Sequence, residues 1–335
     1  MSEAEPGPAP VDEFDWIRDC LTPLAADTPE ALGLLDDAAV IASRPGFDLV
    51  ISKDAVVEGV HFLPDDPLDA VARKLMRVNL SDLAAKGAEP YGYLLAIAWP
   101  KRHGWPARRA FAEGLGQDQR QFGLRLLGGD TVSTPGPLTA SLTILGWVPQ
   151  GRMVRRAGAQ AGDVVLVTGS IGDGFLGLEA AQGGLPGLAP DQRAYLADRY
   201  RLPRPRLELI SALRDCASAA ADVSDGLIAD AGRIAIASQR RLELDLEAAP
   251  LSPAASAWLS AQGDQDAARV LLASGGDDYE VVCTAPEPSV ATLQRAAAAL
   301  GLALTRIGRV TAGQGVEAQI GGRAVPIPRA GYRHG

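Results

Sequence analysis

The chain has 335 residues, 47% of them apolar and 22% charged, with a formal charge of −9. That length suits two domains better than one core, and the acidic balance excludes a general nucleic-acid binder, which needs a basic face for phosphates. Three scattered cysteines (Cys20, Cys216, Cys283) and three histidines (His61, His103, His334) exclude a disulfide framework and argue against a thiolate or imidazole metal centre.

Met1 to Asp12 is acidic and rich in Pro and Ala, which predicts a disordered tail; it lacks the basic start and apolar core of a signal peptide. From Glu13, the series Phe14, Ile17, Cys20, Leu21 and Leu24 has helical spacing and predicts a first amphipathic helix. Asp48 to Ser52 predicts a strand. Pro67 to Lys86 predicts a long helix, opened by Pro67 and stopped by Gly87. Tyr91 to Trp99 is an apolar strand closed by Pro100. A helix over about 106–122 follows, then a short strand, Arg125 to Leu127, that ends at Gly128-Gly129-Asp130. Leu138 to Val148 alternates as a strand before Pro149. Gly151 to Gly162 is polar, carries Arg152, Arg155 and Arg156, and reads as a domain junction. Beyond it lie a strand at Val164 to Thr168, helices near 171–182, 191–199, 205–218 and 225–238, and strands near 242–246, 280–284 and 303–310. Two α/β-type domains are expected, residues 13–149 and 150–335, after a tail over 1–12. No apolar run approaches the roughly 20 residues that span a bilayer, so a cytoplasmic protein with no membrane partner is expected.

Six short segments end a small or apolar stretch on aspartate: Leu35-Asp36-Asp37, Ile51-Ser52-Lys53-Asp54, Asn79-Leu80-Ser81-Asp82, Gly128-Gly129-Asp130, Asp222-Val223-Ser224-Asp225-Gly226 and Gly275-Gly276-Asp277-Asp278-Tyr279. Aspartate is a poor strand or mid-helix residue, because its short side chain competes for nearby backbone hydrogen bonds. Each alone reads as a helix cap or turn; together they predict carboxylates gathered at one site. Two carboxylates about 5 Å apart repel by roughly 3 kcal/mol at an effective dielectric near 20, so a cluster requires cations. Oxygen-only ligation points to magnesium, and magnesium among carboxylates points to a bound polyphosphate. Gly172-Asp173-Gly174-Phe175-Leu176-Gly177 matches GxGxxG between a strand and a helix. The dinucleotide fingerprint fails further on, because Gln182 to Pro190 is a Gly/Pro loop where a second acid-ended strand belongs. No GxxxxGK[ST] loop occurs, so phosphate must be held through metals and scattered backbone groups.

The ordered set, including Asn79-Leu80-Ser81-Asp82-Leu83-Ala84-Ala85, Ser224-Asp225-Gly226-Leu227 and Gly275-Gly276-Asp277-Asp278-Tyr279-Glu280, together with Val57-Glu58-Gly59-Val60-His61-Phe62, resembles the thiamine-monophosphate kinase family over about residues 13 to 333. The resemblance implies a two-domain α+β or α/β fold shared with aminoimidazole ribonucleotide synthetase, selenophosphate synthetase and a hydrogenase-maturation protein. It implies an N-terminal domain whose β-sheet, flanked by helices, forms a homodimer, a C-terminal α/β domain, and ATP with magnesium in the groove between them. The implied reaction is ATP plus thiamine monophosphate giving ADP and thiamine diphosphate, with no acid–base residue. By motif position Asp37, Asp54, Asp82, Asp130, Asp222 and Asp225, with Ser52, are implied as ligands of several magnesium ions. Gly129, Asp130, Ser224 and Arg156 are implied on the ATP side, and His61, Asp277 and Tyr332 on the substrate side. Potassium is a further candidate cation.

Several positions depart from the family pattern. Lys53 replaces a small hydroxyl residue, Leu35 replaces a glycine, Lys86 replaces a methionine, and Asp277 stands for glutamate, a difference of one methylene. On a strand, Ser52 and Asp54 share a face that Lys53 does not. Asp225 can equally cap the helix that follows it. Other enzymes of the superfamily are disfavoured: Cys20 lacks the glycine-rich surroundings of a selenophosphate synthetase cysteine, and the chain ends Tyr332-Arg333-His334-Gly335 without a terminal cysteine. A non-catalytic nucleotide- or thiamine-phosphate-binding relative is the rival from another class.

Overall fold

The structure, a computed structural model, describes residues 11–332. The expectation of a disordered tail therefore lies outside the described residues except at Val11 and Asp12. The chain divides into two compact units. One holds the described part of Met1–Asn79 together with Pro90–Trp147; the other holds Leu80–Glu89 together with Val148 onward.

In the first unit the expected amphipathic opening helix is only α1 (Glu13–Trp16), capped by the Asp12 carboxylate on the Phe14 and Asp15 N–H groups. It runs on as a π turn, Ile17–Leu21, and a 3-10 turn, Thr22–Ala25, where Pro23 stops regular α geometry. A four-stranded sheet follows, ordered β1-β4-β2-β3, from β1 (Phe47–Val57), β2 (Glu89–Pro100), β3 (Leu126–Thr134) and β4 (Thr139–Pro149). The helices are α2 (Leu68–Lys86), which begins in this unit, and α3 (Trp105–Phe122). Trp99 of β2 makes edge contacts with Trp16 and Phe111, at ring separations of 5.6 and 5.5 Å. Such pairs add about 1 kcal/mol each beyond area burial. The α2 and α3 helices touch where a Cβ on Gly114 would stand 2.2 Å from the Asp69 carbonyl. Asp118, fully buried on α3, is held by Arg73 and Arg77 of α2.

The second unit is built on a seven-stranded sheet ordered β11-β10-β7-β9-β5-β8-β6. In chain order its elements are β5 (Val164–Thr168), α4 (Asp173–Ala181), α5 (Pro190–Arg201), α6 (Ile210–Cys216), β6 (Ala219–Asp222), α7 (Leu227–Ser238), β7 (Arg241–Asp245), α8 (Pro253–Ser260), α9 (Gln265–Ser274), β8 (Val281–Ala285), α10 (Glu287–Ala299), β9 (Leu304–Thr311), β10 (Gly315–Ile320) and β11 (Arg323–Ala324). The sheet is mixed: β5 is antiparallel to both β8 and β9, and β7 is parallel to β10. Every residue of β5, β6 and β8 is buried, so both faces are covered. Val165 and Val167 pack with Ile228 and Ile234 of α7, while Val164 and Leu166 pack with Leu213 of α6 and Leu293 of α10. Alternate residues of one strand thus serve two cores, which is why the strand reads as an unbroken apolar run.

Candidate active site

In the first unit Gly128-Gly129-Asp130 does not end a strand as expected but lies inside β3. The register with parallel β2 shifts between Tyr93 and Leu94, and β3 then runs so close that a Cβ on Gly129 would stand 1.8 Å from the Leu95 carbonyl. Gly129 is therefore needed for the pairing itself, and the pairing carries Asp130 to a cavity of about 180 Å³ that Asp36, Asp37, Gly129 and Thr131 also line. The turn leading to Asp37 manages without glycine at Leu35: the left-handed conformation is taken upstream, by Leu32, Gly33 and Leu34 (φ 50, 71 and 56°).

The strand β1 keeps its alternation through Lys53. The ammonium donates to Ser141 Oγ on β4 at 2.7 Å, away from the face of Val50, Ser52 and Asp54. Asn79 is fully buried: its Oδ1 accepts the Asp54 N–H at 3.0 Å and its Nδ2 donates to the Leu75 carbonyl. That side chain fixes the strand at Asp54. His61 closes the tight loop after β1, its Nδ1 accepting the Val57 N–H at 3.1 Å while its carbonyl accepts from Lys74 Nζ.

In the second unit four segments converge on the end of β6, where Asp222 sits. The Ser224 carbonyl accepts the Asp277 N–H at 2.9 Å, the Val223 carbonyl accepts the Tyr279 N–H at 2.8 Å, and the Asp225 carbonyl accepts the Tyr332 N–H at 2.9 Å. Only glycine fits between these backbones: a Cβ on Gly276 would lie 2.6 Å from the Ser224 carbonyl, and one on Gly174 2.2 Å from that of Asp277. Ser224, Asp225, Asp277 and Tyr332 are thereby brought together. Gly276 and Tyr332 border an apolar pocket of about 280 Å³ with Phe175, Val270 and Leu271.

Sequence reasoning assigned no role to the buried acids that hold these segments. Asp230 of α7, with no exposed surface, accepts the Ser224 and Asp225 N–H groups on Oδ2, both at 3.0 Å. Burial pushes its pKa up to about 6, against the pull of Arg233. Asp278 accepts the Gly172 N–H on Oδ2 at 2.8 Å and the Gly174 N–H on Oδ1 at 2.9 Å. Burial pushes this carboxyl well above its ordinary range, while those two N–H groups and Arg199 oppose the shift. The GxGxxG match is explained here: its amides, which a dinucleotide fingerprint would turn to phosphate, are occupied by the protein's own carboxylate. A helix, α5, also follows where a second strand would belong. The doublet Asp277-Asp278 was the available signal, since neighbouring carboxylates cannot both face one ligand from an extended segment.

Cations of the chain face several of the expected metal donors. Asp225 does not cap α7, whose first turn has Gly226 at the cap and no side-chain bond; its carboxylate is ion-paired with Arg233, which also bonds Asp230 at 2.8 Å. Lys86, at the end of α2, donates to the Ala220 carbonyl at 2.7 Å. Burial and the Arg156 charge lower its pKa to about 8, while Asp222 and Asp82 oppose the shift. Arg156 Nε and Ser81 Oγ are buried with no hydrogen-bond partner among the described residues. Among those residues no group of three or more His, Cys, Asp or Glu is gathered tightly enough to hold a metal. The donor chemistry nevertheless fits a hard cation, being all oxygen.

No helix among the described residues is long and apolar enough to cross a membrane. Residues 35–148 match the family model described as AIR synthase related protein, N-terminal domain, and residues 160–321 match its C-terminal counterpart. A thiamine-monophosphate kinase of Caulobacter vibrioides is 53% identical over 99% of this chain and 93% of its own length. The crystal structure of thiamine-monophosphate kinase from Stenotrophomonas maltophilia K279a superposes with a TM-score of 0.81 at 36% identity, covering 94% of this chain and 98% of that one. A structure described as AaThiL complexed with AMPPCP and TMP gives a TM-score of 0.76 at 27% identity, over 96% and 97% of the two chains. With both family domains matched in order and curated relatives matched end to end, the chain belongs to the thiamine-monophosphate kinase family of AIR synthase related proteins.

Proposed function

We propose that this chain transfers the γ-phosphoryl group of ATP to thiamine monophosphate, giving ADP and thiamine diphosphate. The observation that carries this is the end-to-end likeness to thiamine-monophosphate kinases, 53% identical over 99% of the chain. The solved relative holding AMPPCP, an ATP analogue, with TMP supports the same pair of substrates. A phosphate monoester is already an anion at neutral pH, so the acceptor needs no strong base. The barrier lies in bringing two anionic phosphates together in line, which positioning and positive charge lower.

Asp37, Asp54, Asp82, Asp130, Asp222 and Asp225, with Ser52, are the residues that would hold magnesium. Bound there, magnesium would supply charge neutralisation and a template for in-line displacement. Arg156 would meet ATP phosphates with its unpartnered Nε, and Gly129 and Ser224 would make the other nucleotide contacts. Asp277, Tyr332 and His61 would recognise the acceptor, the tyrosine ring offering a face to the thiamine heterocycles. Potassium is a further candidate cation, and ATP is the co-substrate. Homodimerisation is part of this reading: Leu49, Ile51 and Leu94 stay exposed on the four-stranded sheet of the first unit, an apolar face suited to a second copy. A cytoplasmic location goes with it.

Purified protein incubated with ATP, magnesium and thiamine monophosphate should yield thiamine diphosphate, read by fluorescence after oxidation and lost on adding a chelator. ATP binding without product would instead favour the non-catalytic relative. Asp130→Asn is expected to lower turnover by about a thousandfold, the several kcal/mol that metal charge stabilisation supplies, with an unchanged unfolding midpoint. Lys53→Ser is the contrast. Because its ammonium sits on Ser141, on the strand face opposite Ser52 and Asp54, turnover should move by no more than about twofold; a larger change in the same assay would place Lys53 at the site.

A further inference from the structure

The two loops that meet at Ser224 and Asp277 have separate buried anchors. On the nucleotide side, Asp230 holds the Ser224 and Asp225 amides. On the other side Asp278, 1% exposed, holds the Gly172 and Gly174 amides at the start of α4. Its own carbonyl accepts from Arg199 Nη2 at 3.1 Å. The residues flanking Asp278 are both left-handed, Asp277 at φ 68° and Tyr279 at φ 50°. A non-glycine residue adopts that conformation at a cost and keeps it only where the surroundings over-determine it. The surroundings here are the Asp278 carboxylate on one side and the Val223 and Ser224 carbonyls on the other. The twist turns the Asp278 side chain inward to the Gly172 and Gly174 amides, while Asp277 directly follows Gly276 of the apolar pocket.

We propose that Asp278 is a positioning residue for the acceptor: its carboxylate, seated on the Gly172 and Gly174 amides, fixes the placement of Asp277, while Asp230 independently fixes the nucleotide loop. This rests on the thiamine monophosphate reading for the identity of the acceptor. Removing the carboxylate leaves two buried amides unsatisfied and relaxes Asp277, but the Asp230 bonds to Ser224 and Asp225 remain. The two substrates should therefore respond differently, which a general loss of stability would not produce.

The experiment compares Asp278→Ala, Asp278→Asn and Asp230→Asn in the full chain, with KM measured for each substrate and titrations of thiamine monophosphate and ATP by calorimetry. Asp278→Ala should raise the acceptor KM by at least about tenfold, a loss confined to substrate binding, and leave that for ATP within about twofold. Formate, small enough to occupy the vacated seat, should restore part of the loss. Asp278→Asn, which keeps one carbonyl oxygen and serves if the alanine variant does not fold, should shift the acceptor in the same direction by less. Asp230→Asn should weaken ATP instead. Equal shifts for both substrates in either Asp278 variant, or none, would overturn the proposal. Hydrogen exchange reads the same anchor without turnover: the amides of Asp277 and Tyr279 should exchange faster in the Asp278 variants while those of Ser224 and Asp225 do not. A wild-type protein that made no thiamine diphosphate would sink the acceptor's identity, and unchanged exchange at Asp277 would sink the anchor.

Discussion

Glu280→Gln is expected to destabilise the second unit by about 3–5 kcal/mol, the usual cost of leaving buried charges uncompensated. Glu280 has no exposed surface, and it is ion-paired with Arg199 and Arg206, whose side chains are 2% and 13% exposed. Arg206 Nε donates to it at 2.6 Å, Arg199 Nη2 at 3.0 Å and Thr168 Oγ1 at 2.7 Å. The glutamine keeps the shape but offers one acceptor oxygen and no charge to two guanidinium groups, and its NH₂ would face guanidinium. Asp173 stands 3.7 Å from Arg199 Nε, close enough to compensate that arginine in part but not Arg206. Urea unfolding should show a lower midpoint at unchanged slope; a loss under about 1 kcal/mol would mean that the arginines find other partners.

Gly129→Ala should be more damaging to the first unit, by over about 4 kcal/mol, the range reached only by severe packing faults. Its new Cβ would stand 1.8 Å from the Leu95 oxygen and 2.7 Å from the Leu95 carbonyl carbon. Those are backbone atoms of the paired strand, so no rotamer change relieves the clash. Either β3 parts from β2 or the bulge moves, and a move of one residue would turn Asp130 to the opposite face. Faster amide exchange confined to 93–100 and 126–134, together with loss of turnover, is the expected pattern. Native-like exchange in the variant would refute the close approach.

The parts of this architecture that packing dictates were legible in the sequence. The helices α2 and α3, and the strands β2, β4, β5 and β8, announce themselves by apolar period and by Pro or Gly at their ends. Elements that went unread carry weak signals. The strand β6 is Ala219-Ala220-Ala221-Asp222, small residues with no β-branched member, and becomes a strand only because β8 pairs with it. The Ala-rich α8, α9 and α10 lie between motifs, and β10 and β11 are short. The aspartates stand out in the sequence because so many sit where apolar runs stop, but among the described residues no three acids are gathered tightly enough to hold a metal. The division of labour within the set was not legible. Asp277 and Asp278 differ in surroundings because of a left-handed backbone at one of them, and the Asp225 carboxylate is ion-paired with Arg233 of α7. Neither fact exists until the chain is folded.

The segment Leu80–Glu89 belongs to the second unit although it is made long before the rest of it. Leu80, Leu83, Ala84 and Ala85 are wholly buried. The partners of the segment arrive late: the Lys86 carbonyl waits for the Val154 N–H, its ammonium for the Ala220 carbonyl, and the Gly87 carbonyl for Arg214. On the ribosome, where domains ordinarily close in order of emergence, the last turns of α2 must stay open until more than a hundred further residues have been added. A fragment cut at residue 148 would carry that apolar stretch permanently uncovered. The nascent chain therefore passes through a long interval in which its first half is finished in sequence but not in structure, and that interval is where chaperone dependence and aggregation during overexpression would concentrate.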